Sequence, residues 1–186
     1  MMLEAFKSNV LPLKNKLFRF ANSILGDFDL SKDVVQETMI KAWEKRSEWN
    51  SIQNIEAWCM TLTRNYALDK LRSKHHKTMA LNTKYDQEYD EPSPYVLTEM
   101  GNTMEVIDVI IGKLPLKQKE TFQLRDVEGL SYQEITEITG YNMNDVKVNI
   151  FRARKAIKTS LLKLQTHGLE KSRSTYSEIL DRQCKP

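Results

Sequence analysis

The chain has 186 residues, 40% of them hydrophobic and 28% charged, enough for one medium domain or two small ones with modest cores. No apolar run approaches the roughly 20 residues that cross a bilayer, so membrane insertion is not expected, and two cysteines are too few for a disulfide framework. The net charge of +3 is too small to name a partner by itself.

The N-terminus, Met1-Met2-Leu3-Glu4-Ala5-Phe6-Lys7, lacks the charged-then-apolar order of a secretory signal, and a cytoplasmic protein is expected. Leu13, Leu17, Phe20, Ala21 and Ile24 follow helical spacing. Leu3, Phe6 and Val10 extend the pattern upstream, with Pro12 expected to break or kink it. Gly26-Asp27 closes this unit. Ser31 is the expected N-cap of a second helix, Lys32 to about Lys45, burying Val35, Met39, Ala42 and Trp43. After the turn-prone stretch from Trp49 to Asn54, a third helix runs from about Ile55 to Ser73, with Ile55, Trp58, Cys59, Leu62 and Tyr66 as its core face. Periodicity then stops. Residues 77–101, with Asp86, Glu88, Asp90, Glu91, Pro92 and Pro94, read as an acidic linker.

Helical pattern returns at Met104, Ile107 and Ile111, and Leu114-Pro115 begins another helix. Ser131 and Glu134 then form a capping box, Ile135 and Ile138 face inward, Gly140 turns the chain and Asn142 caps the next helix. Val146, Ile150, Ala153 and Ile157 line that last helix. No strand-like alternation is sustained. The fold class is all-α, with two small helical domains at 1–76 and 102–165, joined by the linker and followed by a tail, 166–186, that the pattern leaves unassigned.

Charge separates these parts. Residues 1–76 carry 12 basic and 9 acidic side chains and residues 101–165 carry 10 and 8, whereas 77–100 carry 2 and 5, so two mildly basic blocks flank an acidic one. Helix, turn and helix over about 131–158 make a helix-turn-helix, whose second helix holds Lys147, Arg152, Arg154, Lys155 and Lys158. In a major groove such cations bridge phosphates or reach guanine edges, and Asn149 can pair with adenine. A solvated basic face is the bland alternative. From Arg64 to the end of the third helix and just beyond, Arg64, Lys70, Arg72, Lys74 and Lys77 oppose only Asp69, a balance suited to opened DNA, while Trp58 and Tyr66 fit a core as well as a stacking platform. Asp33 and Glu37 stand one turn apart, but no His or Cys lies near them at ligand spacing and no phosphate-binding glycine loop occurs. His75 and His76 read as solvated. Neither catalysis, a metal nor a cofactor is expected; an acidic face for a basic protein partner is the better reading of Asp33 and Glu37.

Asp33-Val34-Val35-Gln36-Glu37-Thr38, Trp43, Ala57-Trp58 and the run from Arg64 to Arg72 resemble the sigma-two domain of extracytoplasmic function (ECF) sigma factors. Leu114 to Lys119, Leu124 to Ile135, Val146-Lys147 and Arg152 to Lys155 resemble their sigma-four domain, in the right order and spacing. The resemblance implies a transcription initiation factor with bacterial RNA polymerase core and promoter DNA as partners, and an anti-sigma factor as sequestering partner. It implies that Asp33, Gln36, Glu37 and Ile40 grip the coiled-coil clamp of the largest polymerase subunit. Trp49, Asn50, Asn54 and Asn65, with the basic Arg64 and Arg72, would read the −10 element, and Lys147, Asn149, Arg152, Arg154 and Lys155 the −35 element. Asn149 and Val148 depart from the family's frequent Arg and small residue. In the family the two elements lie roughly 17 base pairs apart, about 58 Å, a span the linker reaches only when stretched. The competing reading is a stand-alone helix-turn-helix regulator.

Overall fold

The computed structural model describes residues 2–79 and 103–166, all of whose regular elements are helical. The expected linker from residue 80 onward and the tail from 167, with Cys184, lie outside the described residues. Helix α1 (Met2–Asn9) ends where Pro12 enters a tight 3-10 turn, Leu11–Leu13, and α2 (Lys14–Leu25) follows. Leu17, Phe20, Ala21, Ile24 and Leu25 form the buried stripe of α2. Gly26 ends it at φ +60°, a left-handed conformation that costs an L-residue about 1–2 kcal/mol, and its N–H reaches the carbonyl of Asn22 at 2.8 Å.

Helix α3 (Phe28–Glu44) begins four residues earlier than Ser31 predicts. Gly26 leaves Asp27 extended, and the Asp27 carboxylate accepts from the N–H of Leu30 at 3.1 Å, so Asp27 is the cap. Ser31 is instead buried, its hydroxyl donating to the Asp27 carbonyl. Val35 and Ala42 are buried as expected and Met39 is half-buried, but Trp43 remains 37% exposed, held by the edge of Phe6 and the guanidinium of Arg46. The chain then makes a second 3-10 turn, Arg46–Ser51.

Asn54 caps α4 (Ile55–Met79) by accepting from the N–H of Ala57 at 2.9 Å. This helix continues past the expected end at Ser73. Its fully covered positions are Ala57, Cys59, Met60, Thr63 and Ala67, while Ile55, Trp58, Leu62 and Tyr66 are half-buried. The reason is tertiary: α4 packs on α2 and α3 on one side and on a helix of the second domain on another. The Thr38 and Thr63 hydroxyls meet at 3.2 Å across the α3–α4 seam. Burial pushes the Cys59 thiol up to about 12. In a Cys184→Ser protein at pH 7.5, maleimide labelling of Cys59 should therefore run no faster than the fold opens, and reach the free-thiol rate only in denaturant; rapid labelling under native conditions would contradict the burial.

The second domain comprises α5 (Thr103–Gly112), α6 (Leu116–Phe122), a wide π-turn (Gln123–Val127), α7 (Tyr132–Thr139) and α8 (Met143–Thr166). The capping box closes in both directions: the Ser131 hydroxyl accepts from the Glu134 N–H, and the Glu134 carboxylate accepts from the Ser131 N–H at 2.8 Å. Gly140 is left-handed at φ +72°, and Asn142 accepts from the N–H of Asp145 at 2.8 Å. Val146, Ile150, Ala153 and Ile157 are all buried. Ile110, Leu114, Phe122, Ala153 and Ile157 make a small core of their own. A larger core is continuous from Val10, Leu17 and Met60 of the first domain to Leu124, Ile135 and Ile150 of the second. The two predicted modules are thus packed face to face, α4 against α7 and α2 against α6 and the π-turn.

Candidate nucleic-acid and polymerase interfaces

Asp33, Gln36, Glu37 and Ile40 fall at i, i+3, i+4 and i+7 of α3 and share one face. Asp33 and Gln36 are exposed and Ile40 is 59% exposed, a large apolar side chain left beside two carboxylates. Glu37 accepts from Lys70 Nζ of α4 at 2.8 Å; that hydrogen bond and the charge of Glu37 raise the Lys70 pKa, with Asp33 adding to it. The acid pair is braced by one lysine and otherwise open. Among the described residues no group of three His, Cys, Asp or Glu is arranged to hold a metal.

The residues expected to read the −10 element are divided. Asn65 is exposed, and Arg72 is exposed with Asp69 beside it at 2.6 Å. Trp49 is buried, its ring stacked on Phe6 with centroids 6.1 Å apart and its indole N–H unpartnered, so it is not presented to a strand in this arrangement. The side chain of Asn50 lies outside the described residues. Asn54 and Arg64 are both engaged by the second domain. Asn54 Nδ2 donates to Glu134 at 2.9 Å; Arg64 donates from Nε to Glu120 at 2.9 Å and from Nη2 to Glu120 at 3.2 Å and to the Tyr141 hydroxyl at 3.0 Å.

On α8, Lys147, Arg152 and Lys155 are exposed together. Asn149 is half-buried and donates to the Asp145 carbonyl at 2.8 Å. Arg154 is placed apart from them: its side chain is only 16% exposed and donates to Asp126 at 2.6 and 3.2 Å, on the side of the helix that meets the π-turn. It follows the Ile150 and Ile157 stripe rather than the outer face. Val148 and Phe151, 44% and 67% exposed, stand among the outer cations instead. The signal for both was available in the spacing, because an inner stripe at 146, 150, 153 and 157 leaves 148 and 151 outside.

The family model for Sigma-70 region 2 matches residues 10–77, and that for Sigma-70, region 4 matches residues 104–157. Among curated relatives, the ECF RNA polymerase sigma factor EcfG of Rhodopseudomonas palustris is 25% identical over 86% of this chain and 87% of its own. The ECF RNA polymerase sigma factor SigE of Mycolicibacterium smegmatis is 28% identical over 86% of this chain, a match spanning 62% of that longer protein. The sigma factor RpoE of Bartonella quintana, solved in complex with the anti-sigma factor NepR, superposes with a TM-score of 0.69 at 25% identity, covering 84% of this chain and 96% of that one. This chain is an ECF sigma factor.

In the sigma factor, side chains of region 2 donate to acceptors of region 4 among the described residues: Arg19 to Glu128, Asn54 to Glu134, and Arg64 to Glu120 and Tyr141. Arg19 is bidentate on Glu128, at 2.9 and 2.7 Å, and that hydrogen bond raises its pKa against the opposing effect of burial. Glu134 is held below the usual carboxylate range, first by the Ser131 backbone N–H and hydroxyl, then by Asn54. Tyr141, in the turn of the helix-turn-helix, donates to Glu120 at 2.6 Å and lies between the cations of Arg64 and Lys117, 5.3 and 5.1 Å from its ring centroid. Its phenol is pushed up to about 12, mainly by burial, then by Glu120. Neither Glu120 nor Tyr141 could be assigned from the sequence, since their partner lies 56 and 77 positions away.

Proposed function

We propose that this sigma factor binds core RNA polymerase through Asp33, Gln36, Glu37 and Ile40 of α3 and directs it to promoters. Asn54, Arg64, Asn65 and Arg72 contact the −10 element, and Lys147, Asn149, Arg152 and Lys155 the −35 element. The functional units are 1–76 and 102–165, with 77–101 as connector. What supports this reading is that exposed cations stand on both regions, Arg72 on α4 and Lys147, Arg152 and Lys155 on α8, together with a third, acidic and apolar face on α3. A stand-alone regulator has no use for that third face.

Energetics require the polymerase. Opening about ten base pairs costs on the order of 14 kcal/mol at roughly 1.4 kcal/mol per step, and each captured base returns only about 1–3 kcal/mol. The chain itself performs no chemistry in this role. The Bartonella quintana relative was solved in complex with an anti-sigma factor, and a protein of that kind is the natural antagonist here. Transcription with purified core on a promoter library tests the reading. Start sites that depend on the chain are expected, with weak or no promoter binding in a gel shift without core. Tight promoter binding without core and no effect on start sites would instead mark a stand-alone regulator.

A further inference from the structure

We propose that Val148 and Phe151 of α8 form an apolar patch that reads the 5-methyl group of thymine in the −35 element, so that this sigma factor requires thymine at one or two positions there. The inference rests on the reading of α8 as the −35 helix. It adds a contact that the cations of that helix cannot make.

The two side chains have no task inside the fold. Neither belongs to the large core or the small one. Phe151, at 67%, is the most exposed large apolar side chain among the described residues, and Val148 is 44% exposed. Their place on the helix is specific. Val146, Ile150, Ala153 and Ile157 fix the inner stripe of α8. At 3.6 residues per turn Val148 falls opposite that stripe, with Phe151 about 60° to one side and Arg152 about 40° to the other. Val148 also lies in the second turn of α8, and the reading helix of a helix-turn-helix reaches base edges with its N-terminal residues. Lys147, Arg152 and Lys155 are exposed around the pair. A patch set among cations faces a polyanion, which marks its occupant as a DNA groove rather than an apolar protein surface. In the major groove the apolar group on offer is the thymine methyl, whereas the other edges present donors and acceptors. Val148 is suited to meet it, because a β-branched side chain on a helix keeps one preferred rotamer and loses little freedom on contact. A small residue at 148 would leave the methyl facing water.

The test uses the full chain assembled with core RNA polymerase. Promoters selected from a library randomised in the −35 element should carry a T·A pair at one or two fixed positions. Replacing that thymine by deoxyuridine removes the methyl alone and should weaken holoenzyme binding about fourfold, equivalent to about 0.8 kcal/mol at 1.4 kcal/mol per decade. A 5-methylcytosine·guanine pair at the same position should bind about fourfold tighter than cytosine·guanine, since the methyl sits on the same ring carbon. Val148→Ala together with Phe151→Ala should bring both ratios below about 1.5-fold with helix content unchanged, because the surface that meets the methyl is gone. Lys147→Ala should weaken thymine and deoxyuridine promoters alike and leave their ratio intact. Selected promoters with no fixed thymine, ratios near one in the parent, or equal binding of methylated and plain cytosine overturn the methyl reading. A methyl effect that survives the double variant overturns its assignment to Val148 and Phe151. If Lys147→Ala with Arg152→Ala also leaves promoter binding and −35 preference untouched, the −35 reading of α8 is what fails.

Discussion

Replacing both Asp33 and Glu37 by arginine is expected to lower affinity for core RNA polymerase by at least about 100-fold, roughly 2.8 kcal/mol at 1.4 kcal/mol per decade, while helix content stays unchanged. The two carboxylates lie on one face of α3 with Ile40 a further turn along. A basic partner that docks there meets two reversed charges, and like-charge juxtaposition across an interface costs several kcal/mol. The fold loses little. Glu37 is ion-paired with Lys70, and their side chains are 42% and 35% exposed, so the pair contributes no more than about 0–1 kcal/mol after solvent screening. Fluorescence anisotropy with labelled sigma factor and purified core gives the affinity, and circular dichroism gives the helix content. Undiminished core binding by a folded double variant would remove α3 as the docking face.

Local chemistry in this chain was readable and long-range chemistry was not. The Ser131–Glu134 box, the Gly140 turn and the Asn142 cap each close within three or four residues, so their partners are in view in the sequence. The α8 stripe was equally legible, because one helix in one environment keeps one period. The start of α3 was not. Asp27 and Ser31 are both competent caps, and what decides between them is that Gly26 stops α2 immediately upstream and leaves Asp27 extended. The face of α4 was legible only in part, with Cys59 in the core and Ile55, Trp58 and Tyr66 packed against it. A helix with neighbours on two sides has no single apolar stripe, and the second neighbour, α7, lies some 70 residues on. The engagement of Arg64 and Asn54 by region 4 follows from that same packing. Trp49 was assigned to a DNA-reading loop on resemblance, and the structure turns it inward onto Phe6, a residue no local pattern links to it.

The second large effect separates two arginines that stand two positions apart on α8. Arg154→Ala should destabilise the protein by about 3–5 kcal/mol, whereas Arg152→Ala should change stability by no more than about 0.5 kcal/mol. Arg154 lies against Asp126, whose side chain is 8% exposed, with its Nη2 at 2.6 Å and Nε at 3.2 Å from the two carboxylate oxygens. Truncation takes away that bidentate guanidinium and leaves a carboxylate that water barely reaches; the penalty is the stranded charge, not the lost attraction. It falls on the π-turn between α6 and α7, whose Leu124 belongs to the core continuous with region 2, so the loss should be felt across both regions as a lower denaturant midpoint. A total stability of 5–15 kcal/mol does not absorb that easily. Arg152 faces solvent and should act only on DNA, weakening the upstream element by about 1–3 kcal/mol if it reads a base, or all sequences equally if it meets a phosphate. Chemical denaturation and binding to an upstream-element duplex, measured on both variants, distinguish the roles. An Arg154→Ala protein that keeps its midpoint and loses DNA affinity would return Arg154 to the reading face.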